Sequence, residues 1–212
     1  MNVPALVFCG DPWHPADTVR RGLEAFSTKG LAFEFCEHDA ACPWERLEKF
    51  AVAVLARANV VAGAKPEAWL KSDADHGFTK FVQRGGGLLV IHGGAARYEN
   101  LPALNALIGG GFVRHPDPCL VTVEPRAGNF LTRDVKTFST VDEHYFVRLD
   151  DVRAEVFLHA KSAHGGQPAG WARTAGTGRV CVLTPGHSLD VWLHPEFQKL
   201  LLNALDWTAK MK

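Results

Sequence analysis

Gly85-Gly86-Gly87-Leu88-Leu89-Val90-Ile91-His92-Gly93-Gly94 is the stretch on which the reading of the whole chain turns. It joins a glycine turn, four consecutive apolar residues, and a histidine set on a second glycine turn. A short apolar run bounded by turn signals predicts a strand covered on both faces, as in the middle of a parallel sheet. In open α/β sheets, ligands bind beyond the carboxyl ends of the strands. His92 stands at such an end, and Gly93 and Gly94 permit a sharp turn or a close backbone approach to a ligand. All three are candidates for a functional site.

Working outward, strand and helix signals alternate on both sides of this run. Ala5 to Cys9 is an apolar run that stops at Gly10-Asp11-Pro12. Val19, Gly22, Leu23 and Phe26 then recur at helical spacing before Gly30. Leu31 to Glu37 reads as a second strand, Pro43 to Phe50 as a short helix, and Val52 to Leu55 as a third strand. A helix from about His76 to Gln83 leads into the opening stretch. Beyond it, Leu101, Leu104 and Ile108 mark a helical face that ends at Gly109-Gly110-Gly111. Arg179 to Leu183 is another core strand, and Phe197, Leu200, Leu201, Ala204 and Leu205 form one face of a last helix with Pro195 near its start. This alternation predicts an α/β fold with a parallel sheet flanked by helices. The middle third differs. Leu120 to Glu124, Phe138 to Leu149 and Glu155 to His159 read as strands without intervening helices, hence an antiparallel, strand-rich excursion. No linker or repeat interrupts the chain, so residues 1–212 are read as one domain.

The composition narrows the partners. Lys plus Arg and Asp plus Glu both number 23, so no basic excess points to nucleic acid or an anionic membrane surface. A neutral small molecule fits this balance. The five cysteines are odd in number and form no C-x-x-C pair, which fits buried free thiols in a reducing compartment. The start lacks a signal-peptide pattern and no run is long enough to cross a membrane, so a cytoplasmic location is the expectation. The sequence leaves a homo-oligomer open.

If the first, fourth and last core strands run parallel, the residues after them share one crevice. Those residues are His14, His92 and His187. Histidine moves protons near neutral pH and binds transition metals through a neutral ring nitrogen. With ten histidines in the chain, coincidence is a competing account of this convergence. His92 and His187 are the candidate metal ligands, with zinc the expected divalent ion. Asp142-Glu143-His144-Tyr145 adds a second cluster. Side chains alternate along a strand, so Glu143 and Tyr145 share one face while Asp142 and His144 share the other. Glu143 and Tyr145 are assigned to the crevice, Glu143 for acid/base work and Tyr145 as a donor to a substrate oxygen. A solvated strand edge is the competing account of this motif. His115, before Pro116, is a further candidate for lining the crevice. His38-Asp39 reads as a turn, His194 as part of a helix start, and Trp171 as a core residue or a platform for a sugar ring. G-x-S-x-G, P-loop, G-x-G-x-x-G and H-E-x-x-H motifs are all missing.

The opening stretch, Asp142-Glu143-His144-Tyr145, Gly178-Arg179-Val180 through Pro185-Gly186-His187, and Asn203-Ala204-Leu205-Asp206-Trp207 together resemble the ThuA-like, or trehalose-utilisation, family. The resemblance implies a flavodoxin-like, class I glutamine amidotransferase-like fold. In amidotransferases a nucleophilic cysteine occupies the sharp turn after a central strand, where this chain has His92. An imidazole cannot reproduce that covalent route, so no glutaminase activity is expected. The family's association with disaccharide catabolism implies a sugar or keto-sugar ligand. A frequent His-Pro pair before the middle strands is replaced here by Asn129-Phe130, so no role carries over from that histidine.

Two functions follow. One is an enzyme on a sugar derivative, a hydrolase, lyase or isomerase, using His92, Glu143 and His187 for catalysis, with His14, Gly93, Gly94, His115 and Tyr145 contacting substrate. The other is a non-catalytic carbohydrate-binding or assembly protein that kept the fold without the nucleophile.

Overall fold

A computed structural model describes residues 2–37, 44–61, 67–71 and 75–211. Its centre is a sheet of nine strands in the order β2-β1-β3-β4-β11-β10-β9-β6-β7. In chain order these are β1 (Val3–Cys9), β2 (Leu31–Cys36), β3 (Val52–Ala56), β4 (Gly87–Ile91), β6 (Cys119–Pro125), β7 (Phe138–Asp142), β9 (Glu155–Ser162), β10 (Gly165–Ala175) and β11 (Gly178–Leu183). Strands β5 (Gly110–Arg114) and β8 (Phe146–Leu149) form a separate antiparallel ribbon.

The half from β2 to β11 is parallel throughout. Its order is the flavodoxin-like one, with the direction of winding reversed between β1 and β3, the position where such sheets open a crevice. Beyond β11 the sheet continues antiparallel through β10, β9, β6 and β7. The strand-rich excursion is therefore an extension of the same sheet plus the small ribbon.

Burial follows the period of two. Ala5, Val7 and Cys9 of β1 face one core with α1 (Ala16–Glu24), α5 (Leu189–Leu193) and α6 (Pro195–Thr208). Leu6 and Phe8 face the other, with α2 (Trp44–Leu47), α3 (Asp75–Gln83) and α4 (Pro102–Ile108). Leu88 to Ile91 are fully buried because helices cover both faces of β4.

Several sequence expectations need correction. Phe138 to Leu149 is two strands in different sheets, separated at Glu143-His144-Tyr145. Gly109 does cap α4 in the left-handed region, but Gly110 and Gly111 begin β5 rather than a loop. The longest strand, β10, contains Pro168 and two register shifts beside Gly170, features that read as loop in the sequence. Trp171 on that strand is fully buried and donates its Nε1–H to the Ile108 carbonyl at 2.9 Å, so it is a core residue and not a sugar platform. His38, Asp39, Cys42 and Pro43 lie outside the described residues.

Gly87 shows how tightly the opening stretch is packed. A Cβ there would meet the Thr208 carbonyl at the end of α6 at well under 3.0 Å. Neither backbone can yield without displacing the last helix or the central strand. Gly87→Ala is expected to cost about 3 kcal/mol in urea unfolding, whereas Gly166→Ala, whose Cβ has no neighbour nearer than 3.6 Å, stays within ~0.5 kcal/mol.

Candidate functional site

The parallel strands end on one rim, and the residues that follow them meet there. After β1, Asp11 folds the chain back: its carboxylate accepts the N–H groups of Trp13 at 2.9 Å and His14 at 3.1 Å. It also accepts the Ala58 N–H at 2.7 Å, which ties the loop after β1 to the loop after β3. The same carboxylate lies 2.8 Å from His14 Nδ1. Burial opposes ionisation of Asp11, but the hydrogen bond from His14 and the backbone donors outweigh it and hold the carboxyl below its ordinary value. Since a carboxylate only accepts, His14 carries its proton on Nδ1 and presents a bare Nε2 to the crevice.

His92 follows β4 with φ at 46°, in the left-handed region that a residue with a Cβ seldom adopts. A short 3-10 turn, His92–Ala95, completes the elbow. Its two glycines accommodate neighbours. A Cβ on Gly93 would stand 2.7 Å from His14 Nδ1, and one on Gly94 would run into the Leu55 carbonyl. Neither glycine is among the residues lining the cleft described below. His92 Nδ1 lies 2.8 Å from the Thr184 carbonyl, so it too bears its proton on Nδ1 and leaves Nε2 bare. Burial pushes its pKa down.

The loop after β11 is held by Asp142, at the end of edge strand β7. Its buried carboxylate accepts the N–H groups of Gly186 at 2.9 Å, His187 at 3.0 Å and Glu143 at 2.9 Å. Trp192 of α5 adds a bond from Nε1–H to the Gly186 carbonyl at 2.7 Å. Neither Asp142 nor His144, which lies 2.7 Å from the Ser162 hydroxyl through Nδ1, lines the cleft, and they are 3% and 2% exposed, so the segment is no solvated edge.

Glu143 and Tyr145 both line the cleft. Glu143 Oε2 lies 3.3 Å from His92 Nε2 and 3.2 Å from His187 Nδ1, and Oε1 lies 3.6 Å from His115 Nε2. Burial raises the Glu143 pKa, but the close contact with His187 foremost outweighs it and keeps the carboxylate ionised. Glu143 in turn raises the pKa of His187. The Tyr145 ring stacks on His92 at 4.0 Å and meets Phe112 at 4.5 Å. Burial and the Glu143 charge push its phenol up, so it stays protonated.

His14 Nε2, His92 Nε2 and His187 Nδ1 are all buried without a hydrogen-bond partner. Each such atom costs about 1–3 kcal/mol unless something satisfies it. His14, His92, Glu143 and His187 each present a ligand atom within 4.8 Å of the others. The 3.2 and 3.3 Å contacts match the ~3.4 Å edge of a tetrahedron built on bonds of ~2.1 Å, and imidazole nitrogens, bare at His14 and His92 and freed at His187 by loss of a proton, are with an ionised carboxylate the donors zinc takes. The residues fit a divalent cation. Of the four, His14 and Glu143 line a cleft of about 300 Å³ together with Trp13, Ala58, Ala96, Arg97, Phe112, His115 and Tyr145, while His92 and His187 share a smaller cavity with His14.

His14, His92, Glu143 and His187 therefore converge, with Tyr145 and His115 beside them. Sequence reading passed over Asp11 and the positioning role of Asp142. Asp11 had a local signal, since Asp after a strand commonly accepts N–H groups two and three residues on.

The sequence model described as ThuA, trehalose utilisation, matches residues 4–208. Similar solved structures include putative ThuA-like proteins from Bacteroides uniformis and Parabacteroides merdae. The first is 20% identical, covering 97% of this chain and 91% of that one with a TM-score of 0.74. The second is 15% identical, covering 100% and 91% with a TM-score of 0.77. A cold-adapted β-galactosidase from Rahnella sp. R3 matches at 14% identity, covering 100% of this chain and 32% of that one, with a TM-score of 0.69. At these identities the structural likeness shows the fold alone. No curated protein matches the sequence.

Asp142→Asn tests the anchor. An amide offers one accepting oxygen in place of two and turns an NH₂ group toward a backbone N–H. A loss of about 2 kcal/mol in denaturant unfolding is expected, with faster amide exchange at Gly186 and His187. Unchanged exchange at both would refute the anchoring role.

Proposed function

The chain belongs to the trehalose-utilisation family, and we propose that it is a cation-dependent acid/base enzyme acting on a sugar or keto-sugar derivative. The observation that carries this reading is the set of three buried imidazole nitrogens without a hydrogen-bond partner, gathered around an ionised Glu143 that opens on the cleft. A protein that only bound sugar through apolar walls would have no use for such unsatisfied donors and acceptors. His14, His92, His187 and Glu143 would hold the ion, with zinc the expected one. Bound there, a divalent cation supplies Lewis acidity toward a carbonyl oxygen or a water.

The chain's own residues supply the proton traffic. A carbonyl on the sugar acidifies the neighbouring C–H. Glu143 alone is a weak base because its pKa is depressed, but His115 stands next to it. Its Nδ1–H donates to the Pro116 carbonyl at 2.8 Å, which leaves the Nε2 lone pair to accept the substrate proton. Tyr145 can donate a hydrogen bond to a substrate oxygen, and the Phe112 and Tyr145 rings, packed at a tilt, shield part of the cleft from water. Elimination or isomerisation follows from such a proton abstraction. The thiol-based amidotransferase route has no place in this reading, since His92 occupies the elbow.

Protein purified without chelator should carry about one zinc per chain and turn over 3-keto-trehalose. Asp11→Asn, which removes the acceptor behind His14, should weaken zinc binding by about 10–100-fold. His92→Ala and His187→Ala should abolish turnover. Zinc-free protein with full activity, or unchanged turnover in both variants, would refute the proposal.

Zinc affinity should also depend on pH in a definite direction. The His187 pKa is raised, so Nδ1 keeps its proton above the ordinary histidine value and must lose it before binding an ion. Affinity in calorimetric titrations is expected to climb from about pH 6 to about pH 8, and in Glu143→Gln that rise should move to lower pH.

A further inference from the structure

Arg97 sits on the rim of the cleft. Among the described residues it forms no ion pair, and its guanidinium lies 5.0 Å from the centroid of the Trp13 ring. Trp13 is 47% exposed, an unusual position for so large an apolar surface. Both residues are nevertheless held in place. The Trp13 N–H is tied to Asp11, the carboxylate that also orients His14. Arg97 has φ at 67°, again in the left-handed region. It is pinned from both sides: the Ala96 N–H donates to the Gly93 carbonyl and the Ala96 carbonyl accepts the Asn59 N–H. On the other side Tyr98, 2% exposed, donates its hydroxyl to the Arg57 carbonyl at 2.8 Å. A backbone so over-determined at an unfavourable φ fixes where the side chain leaves the chain.

We propose that Trp13 and Arg97 form a recognition subsite for an anionic substituent on the sugar. The inference rests on the reading of this cleft as a carbohydrate site and names the class of substrate it takes. A sugar presents flat C–H surface that packs on an indole, and the planar guanidinium matches a carboxylate or phosphate with two parallel N–H donors. The carboxylates deeper in the cleft already have partners of their own, Asp11 the N–H groups of Trp13, Ala58 and His14 and Glu143 the neighbouring His187. Arg97 remains as a fixed positive charge that a neutral sugar would not use. The overall balance of charge, which fits a neutral ligand, hides this local asymmetry.

Calorimetric titration of the zinc-treated protein with glucose, glucuronate and glucose 6-phosphate tests the subsite. At least one of the acids is expected to bind about tenfold or more tightly than glucose, and comparison of the two tells carboxylate from phosphate. R97Q should reduce that acid to the level of glucose, and W13A should weaken all ligands that bind. Equal affinity for the three sugars, no measurable binding of either acid, or a preference that survives R97Q would overturn the subsite. The cation site is scored separately by zinc uptake, which R97Q should leave at the level of the parent protein. Loss of the metal reading therefore shows as absent zinc uptake, and loss of the subsite as absent acid preference.

Discussion

Parallel pairing of β1, β3, β4 and β11 places every carboxyl end of the group on the same rim of the sheet. A parallel strand cannot turn straight back, so each must be followed by a loop and a crossover that leaves from that rim. The loops carrying His14, His92 and His187 are consequences of this single geometric fact. Their side chains meet because the ladder brings together segments that are distant in the chain. The antiparallel extension then supplies the fourth wall. It carries the chain out to β7 on the far edge and returns it through Glu143 and Tyr145 to the ribbon formed by β5 and β8.

Meeting is not enough to hold the groups in place, and the site is conspicuous for what has been spent on holding it. Asp11 and Asp142 each gather several backbone N–H groups and thereby fix loops from different strands relative to one another. His92 keeps a left-handed backbone, and three imidazole nitrogens are buried without a hydrogen-bond partner. Each of these features opposes folding on its own. They are tolerated because the core behind them is closely packed on both faces of β4, so the strain is confined to a few residues on one rim.

The parallel half of the fold was legible because its strands are short, fully apolar runs punctuated by glycine or proline. Glu143 and Tyr145 were named together on strand alternation, yet they stand in the break between β7 and β8, where no strand period applies. Strand β10 was not legible, since Gly165, Gly166, Pro168 and Gly170 mimic a loop and are accommodated by bulges and close contact with β9. The separation of Phe138–Asp142 from Phe146–Leu149 was hidden for the opposite reason: the apolar pattern runs on while the chain changes sheets. The burial of Asp142 depends on N–H groups more than forty residues away, and no local pattern encodes such a partner. The left-handed Arg97 was equally invisible, because its conformation is imposed by Ala96 and Tyr98 bonding to the loop after β3.

The triplet His92-Gly93-Gly94 has a consequence for how this chain can change over time. Gly93 is held to its size by the His14 ring, and Gly94 by the Leu55 carbonyl, while His92 keeps a backbone that its neighbours impose. Three different parts of the molecule therefore veto change at three consecutive positions. A side chain cannot be gained at Gly94 by single steps, since the obstacle is main chain and no rotamer relieves it. New specificity is reached more readily from the rim, where Trp13, Arg97 and His115 are partly or largely exposed and can be exchanged one at a time. The elbow is inherited whole, and diversification is left to the mouth of the cleft.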